Sequence, residues 1–433
     1  MIKVIKNIKV YSPKYLGVKD VVIVGNKFEG IYDSINIPTD FINVNVYDGT
    51  GKIMFPGFID SHVHILGGGG EKGFSTRTPE MRLIDLSIAG ITTVVGCLGT
   101  DNVCRSMSAL IAKARALEIE GLNTYCYTGS YEIPVKSLTE SIKEDIMMID
   151  KIIGLGEIAL SDHRSSQPTY EEFLRAISQA RVGGLLSGKS GIVNVHLGGG
   201  KQGLEYLFKI IEETEIPSTQ LLPTHINRNS TLFKEGLEYV KKGGYIDLTT
   251  SSDPKHLEPG EISAGKGLKI YLDEGLPIEH ITFTSDGNGS MPKFDGSGRE
   301  VGIGICKVDT LYKEVKRAIL EENVAIEDAI KVITSNVANI LCLHNKGRIE
   351  KSMDADFVTV DENTLDIVDV FTKESFLVKD GEIKVHGVYS WKRAFAALFQ
   401  LSFKKYMMSY WRDIIFLSRL HPWTRGNWWI IKE

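Results

Sequence analysis

The chain has 433 residues, 42% of them hydrophobic, and a formal net charge of −5. That length holds a (β/α)8 barrel plus a second unit. The mild acidic balance gives no reason to propose nucleic acid as a partner, and no window approaches a charge-free transmembrane span.

Residues 1–55 alternate apolar and polar in short runs, among them Val21-Val22-Ile23-Val24 and Val44–Val46, broken by Gly25, Gly30 and Asp48-Gly49. This reads as a small unit of β-hairpins. The start, Met1 to Lys6, is strand-like and lacks the apolar core of a secretory signal. Next comes Pro56-Gly57-Phe58-Ile59-Asp60-Ser61-His62-Val63-His64, a short buried strand running into Gly67–Gly70. Strand side chains alternate, so His62 and His64 point the same way and form half of a metal site. Seven more strands are expected at Ile91–Val95, Asn123–Tyr127, Ile152–Leu160, Gly191–His196, Leu221–His225, Tyr245–Leu248 and Ile281–Thr284. Helical segments such as Tyr170–Arg181, Gly203–Glu213 and Leu311–Glu322 lie between or after them. The alternation predicts an α/β fold over 56–345, read as a TIM-like (β/α)8 barrel with every strand's C-terminal end at one mouth, although an open sheet would be wound the same way. A second β-run returns at Phe357–Val360, Val368–Val370 and Ser375–Ile383. The expected organisation is a β-sandwich from 1–55 plus 346–388, the barrel inserted into it, and a tail at 389–433.

Further candidate ligands stand at strand ends, each just ahead of a glycine- or asparagine-rich loop. His196 precedes Leu197-Gly198-Gly199-Gly200, His225 precedes Ile226-Asn227-Arg228-Asn229, and Asp286 precedes Gly287-Asn288-Gly289-Ser290. Glu157, within Gly154-Leu155-Gly156-Glu157-Ile158-Ala159-Leu160, is a carboxylate in an apolar run, which is costly unless a cation or hydrogen bonds offset it. His62, His64, Glu157, His196, His225 and Asp286 together suit two divalent metals, and such a pair can hold a bridging hydroxide at neutral pH. The other histidines, including His163, His256, His280 and His344, lack this context and read as surface or supporting residues. Cys97, Cys104, Cys126, Cys306 and Cys342 are scattered without CxxC spacing, which fits free thiols in a reducing cytosol and hence a cytoplasmic protein.

With these residues in place, residues 1–387 resemble the amidohydrolase superfamily, and within it the isoaspartyl (β-aspartyl) dipeptidases. The resemblance rests on Pro56–His64 and on the words Gly67-Gly68-Gly69-Gly70-Glu71, Leu98-Gly99-Thr100-Asp101 and Tyr127-Thr128-Gly129-Ser130-Tyr131. It rests equally on Ser161-Asp162-His163-Arg164-Ser165, Pro223–Asn229 and Ser285–Ser290. It implies a metal-dependent dipeptidase that cleaves the isopeptide bond of β-aspartyl dipeptides through a metal-bridging hydroxide, assembled as a homo-oligomer. His62, His64 and Asp286 would hold the first metal and His196 and His225 the second, zinc being the expected ion. Asp286 would move the proton, and Tyr131 would polarise the carbonyl. Glu71 would face the substrate ammonium, Arg164 and Arg228 its carboxylates, with hydroxyl contacts from Thr100 and Ser290. The chain departs from the family at the bridge: a lysine carboxylated by CO₂ is common there, and Glu157 stands here, so no carboxylated lysine is expected.

All five tryptophans follow residue 390, and from 391 onward eight Lys/Arg face two acidic residues. Phe395, Leu398, Phe399, Phe403, Tyr406, Met407, Tyr410 and Trp411 fall at helical spacing, which reads as an appended helix peripheral to the chemistry, on a membrane surface or a partner. The rival readings are an N-acetyl amino-sugar deacetylase, another amidohydrolase of the hydantoinase or dihydroorotase kind, and a non-catalytic scaffold.

Overall fold

The computed structural model describes residues 2–37, 43–251, 257, 260–295, 297 and 299–388. The expected tail helix and His256 lie outside them. The opening runs form β1 (Ile2–Tyr11), β2 (Tyr15–Val24), β3 (Lys27–Tyr32), β4 (Val44–Asp48) and β5 (Lys52–Pro56). Eight strands follow: β6 (Phe58–Val63), β7 (Ile91–Gly96), β8 (Asn123–Thr128), β9 (Ile152–Leu160), β10 (Ile192–Leu197), β11 (Leu221–Thr224), β12 (Ile246–Thr249) and β13 (Ile281–Thr284). Each agrees with its expected stretch to within about one residue at either end. A hairpin, β14 (Ser290–Phe294) and β15 (Glu300–Ile305), and then β16 (Phe357–Asp361), β17 (Ile367–Thr372), β18 (Ser375–Lys379) and β19 (Glu382–Ile383) complete the strands.

β6 to β11 pair in parallel in chain order, and β12 pairs in parallel with β13. Two seams close the barrel. Thr224, the last residue of β11, donates its hydroxyl to Asp247 of β12 at 2.7 Å. A parallel bridge joins Val63 of β6 to Gly287 beyond β13, where His64 N–H donates to Gly287 O at 2.8 Å. The strands are buried along nearly their whole length, as parallel strands covered on both faces must be, and most are rich in apolar residues for that reason. The helix Tyr170–Ser187 shows how the cover forms. Thr169 and Glu172 make a reciprocal capping box at its start, and Gly188 ends it at φ 68° in the left-handed conformation. Its Phe173, Ala176, Ile177 and Ala180 recur at helical spacing and are buried.

Strands from both chain ends form one nine-stranded sheet, ordered β19-β18-β17-β16-β5-β1-β2-β3, with β4 also beside β1. β3 and β16 stand four places apart, roughly 19 Å in a flat sheet. Yet the rings of Phe28 on β3 and Phe357 on β16 are 6.4 Å apart. The sheet therefore folds over on itself into two layers. Ile8, Ile23, Phe28, Met54, Phe357 and Phe371 fill the space between, each fully buried, and each phenylalanine so placed stabilises by about 1.5–3 kcal/mol. The outer side of this sheet joins the barrel's core through Val358, Val360, Val370 and Leu377. Both sheets belong to one compact unit, Met1–Val385.

Candidate active site

The site is assembled by strand ends. β6 delivers His62 and, one residue past its end, His64, while β9 carries Glu157 in its middle. Gly156 is where β9 presses on its neighbour: a Cβ there would lie 2.8 Å from the Cβ of Asn194 on β10. β10 carries His196, and His225 and Asp286 follow β11 and β13 closely. His225 at φ 63° and Asp286 at φ 52° both stand in the left-handed region, a strained choice for such residues that persists where surrounding structure enforces it.

Glu157 lies at the centre of the four imidazoles. Its Oε2 is 3.1 Å from His62 Nε2, 3.2 Å from His196 Nδ1 and 3.9 Å from His225 Nε2, and its Oε1 is 3.3 Å from His64 Nε2. Asp286 Oδ1 is 3.0 Å from His64 Nε2 and 3.6 Å from His62 Nε2. Supporting groups hold the rings. His225 Nδ1 is 2.5 Å from Thr249 Oγ1, and His196 Nε2 is 3.0 Å from Asp162 Oδ2. Deeper in the barrel, Asp247 accepts hydroxyl bonds from Thr224, Thr282 and Thr284, and Asp60 accepts from Ser285. Burial pushes the Asp60 and Asp247 carboxyls up to about 7 and about 6, against those hydroxyl bonds.

The charges of the site depend on one another. Burial disfavours the charged forms of His62 and Glu157, but their mutual attraction outweighs it: His62 is raised well above the usual imidazole value and Glu157 lowered well below the usual carboxylate one. His64 is likewise raised despite burial, by Cys97 and Asp286. Burial and then the neighbouring His196 push His225 down to about 3, leaving its ring neutral. Burial and Glu157 raise Tyr131 well above the ordinary phenol value, so its hydroxyl keeps its proton.

Several buried atoms here make no hydrogen bond of good geometry despite these close neighbours: both ring nitrogens of His62, Glu157 Oε1 and Asp286 Oδ1. Native interiors rarely leave such atoms orphaned, and convergent lone pairs of imidazole and carboxylate are what a divalent cation satisfies. Two groups have the spacing to hold one, His62 with His64, Cys97 and Glu157, and Glu157 with His196 and His225. Glu157 belongs to both. The residues fit divalent metal.

Above this centre opens a cavity of about 780 Å³ lined by Glu71, Thr100, Tyr131, Arg164, Arg228 and Ser290, together with Met291, Pro292 and Ile303 of the hairpin. Glu71 accepts from Thr100 Oγ1 at 3.0 Å and Ser290 Oγ at 3.1 Å, and lies 3.5 Å from Arg164 Nη1. Tyr131 OH is 2.9 Å from His196 Nδ1. Arg228 Nε donates to Leu197 O at 3.2 Å.

The twelve candidate site residues of the sequence thus meet at one barrel mouth or directly beneath it. The structure adds one difference. The paired donors of Arg164 already hold Asp162, Nε to Oδ1 at 3.0 Å and Nη2 to Oδ2 at 2.7 Å, so only Nη1 faces Glu71. Asp162, Thr249 and Cys97 were missed as site residues. Asp162 sat inside a quoted word and Cys97 at a strand end; Thr249 carried no sequence signal. His163 and His344 are exposed, and the Nδ1 of His280 is 3.0 Å from Gly244 O, away from the centre.

Comparison with known proteins agrees with this geometry. The amidohydrolase family profile matches residues 53–389. A crystal structure of the β-aspartyl dipeptidase of Fervidobacterium islandicum AW-1, in complex with β-Asp-Leu dipeptide, is 49% identical with a TM-score of 0.81, over 89% of this chain and 98% of that one. The dihydroorotase of Lactobacillus johnsonii is 24% identical over 83% of this chain and 89% of its own length. The dihydropyrimidinase of Brevibacillus agri NCHU1002 shares the fold at 17% identity, TM-score 0.62, over 89% of this chain and 97% of that one. The chain belongs to the amidohydrolase family, and within it to the group of the β-aspartyl dipeptidases.

Proposed function

We propose that this protein hydrolyses the isopeptide bond of β-aspartyl dipeptides as a metal-dependent omega peptidase. The observation that carries the reading is Glu157 set among four imidazoles, beneath a cavity whose mouth presents both an acid and two arginines. His62, His64 and Asp286 would hold one divalent cation and His196 and His225 the other, with Glu157 between them and no carboxylated lysine. Imidazole and carboxylate donors suit zinc. When bound, the cations supply Lewis-acid polarisation of the carbonyl and an activated water at neutral pH.

The chain's own residues do the rest. Asp286, held charged by His64 and His62 against its burial, accepts the proton of the attacking water and passes it to the leaving amine. Tyr131, a neutral phenol, donates to the oxygen on which charge develops. Glu71, its oxygens fixed by Thr100 and Ser290, faces the substrate ammonium. Arg228 receives a carboxylate, and Nη1 of Arg164 adds to it. A substrate lacking one of these charges would leave a partner desolvated and unpaired, which is where discrimination arises.

The test is hydrolysis of β-Asp-Leu against α-Asp-Leu and an N-acetyl amino sugar, with and without chelator. Cleavage of the first alone, abolished by chelator, is expected; preferred cleavage of the sugar amide would transfer the site to the deacetylases. Arg228→Ala should lower kcat/KM about 10–100-fold, the worth of a charged hydrogen bond, with bound metal unchanged. Equal loss of metal would remove Arg228 from substrate binding.

Metal uptake should also depend on pH. His62 and His64 hold protons well above the usual imidazole value when no cation is bound, and a ligating ring must be neutral. Apparent affinity therefore rises with pH from the ordinary imidazole range upward, and binding releases protons. Calorimetry of the chelator-stripped protein in buffers of different ionisation enthalpy measures that release; none would contradict the assignment. Five free thiols support a cytoplasmic location, and we expect a homo-oligomer, which light scattering reads directly.

A further inference from the structure

Among the nitrogen and oxygen donors of the centre lies a sulfur, that of Cys97. Cys97 directly follows β7, leaving its strand at the same mouth as His64 beside β6. Its backbone N–H donates to Val63 O at 3.1 Å, so the loop is tied to the residue between His62 and His64. The side chain is buried, and Sγ is 3.8 Å from His64 Nδ1. One donor atom from each of His62, His64, Cys97 and Glu157 lies within 4.8 Å of the others. Donors about 2.0–2.3 Å from one zinc stand within roughly 4.5 Å of each other, so a small inward shift closes the set.

The loop lies close against the centre. At Gly99 a Cβ would lie 3.0 Å from His64 Cε1 and 3.7 Å from Glu157 Oε1, so this backbone rests against the centre itself. A separate observation points to a ligand in the same place. Glu157 Oε1 and both His62 ring nitrogens are fully buried and make no hydrogen bond of good geometry, although His64 Nε2 and Glu157 Oε2 lie 3.3 and 3.1 Å away. Cys306, also buried, is different: its Sγ is 3.9 Å from Asp286 Oδ2 and it belongs to neither donor group among the described residues.

We propose that Cys97 is a sulfur ligand to the cation held by His62, His64 and Glu157, giving that position a mixed nitrogen, oxygen and sulfur donor set that favours a thiophilic divalent ion. The thiol releases its proton to solvent as the sulfur–metal bond forms, with no change of oxidation state. This rests on the two-cation reading and refines it. The competing role is a thiol that merely orients the His64 ring from behind.

Cobalt(II) separates them. The chelator-stripped full-length protein is titrated with Co²⁺ and its absorption recorded. Visible d–d bands report that the site takes metal, and an added near-ultraviolet sulfur-to-cobalt charge-transfer band reports ligation by cysteine. The expected result is both in the wild type, loss of the near-ultraviolet band alone in Cys97→Ser, and both retained in Cys306→Ser. Visible bands without the near-ultraviolet band, or that band persisting in Cys97→Ser, would overturn the sulfur ligand and leave the two-cation reading standing. Absence of visible bands in the wild type would overturn both. If Cys97→Ser does not fold, zinc-edge X-ray absorption of the wild type decides: sulfur scattering at about 2.3 Å supports the proposal and its absence refutes it.

Discussion

Replacing Glu157 with glutamine is expected to remove metal and activity together. The substitution keeps side-chain volume, so it does not leave a cavity, but it removes the one charge placed among all four imidazoles. Groups that only orient a metal ligand change affinity by about 10–100-fold, and a residue shared by both cations should exceed that. We expect metal affinity and turnover each to fall by at least about 10³-fold, checked by metal analysis after dialysis and by β-Asp-Leu hydrolysis. Because the wild-type carboxylate needs no CO₂, reconstitution with metal should proceed equally with and without bicarbonate. A requirement for bicarbonate, or a Glu157→Gln protein that keeps its metal, would refute the bridging role.

Asp286→Asn should separate binding from chemistry. Asparagine keeps an oxygen donor at the position 3.0 Å from His64 Nε2 but cannot carry a proton from water to the leaving amine. Loss of general acid–base catalysis corresponds to about 10²–10⁴-fold in kcat. The expected result is a fall of that size with most of the bound metal retained and KM little changed. Metal content falling in proportion to kcat would make Asp286 a ligand without the proton-transfer role.

Much of this was legible in the linear sequence because barrel strands advertise themselves. Nearly all of β6 through β13 is buried, so most of these strands are rich in apolar residues, and a polar residue at such a strand's end stands out as costly unless it has a purpose. His62, His196, His225 and Asp286 were visible for that reason, and Glu157 because it interrupts an apolar strand. Residues whose significance depends on a neighbour from another strand were harder to see. Cys97 resembles any buried thiol until Val63 and His64 are placed beside it. Arg164 reads as an open clamp until Asp162, two residues earlier, is found already holding its fork. The hairpin β14–β15 lacks the clean alternation of a half-buried strand, since most of β15 is exposed.

Local alternation, propensity and burial over a few residues already specify eight strand-and-helix repeats, a β-run on either side of them, and the residue types at each strand tip. Which donors share a cation position, how the terminal sheet folds over so that Phe28 meets Phe357, and the closure of the barrel through contacts such as Ser285 with Asp60, 225 residues apart, emerge in three dimensions alone. The physical reason is reach. Local preferences act over one or two turns of chain, whereas convergence at the mouth is set by strand register and closure of the whole ring, where distant side chains must settle burial and charge together.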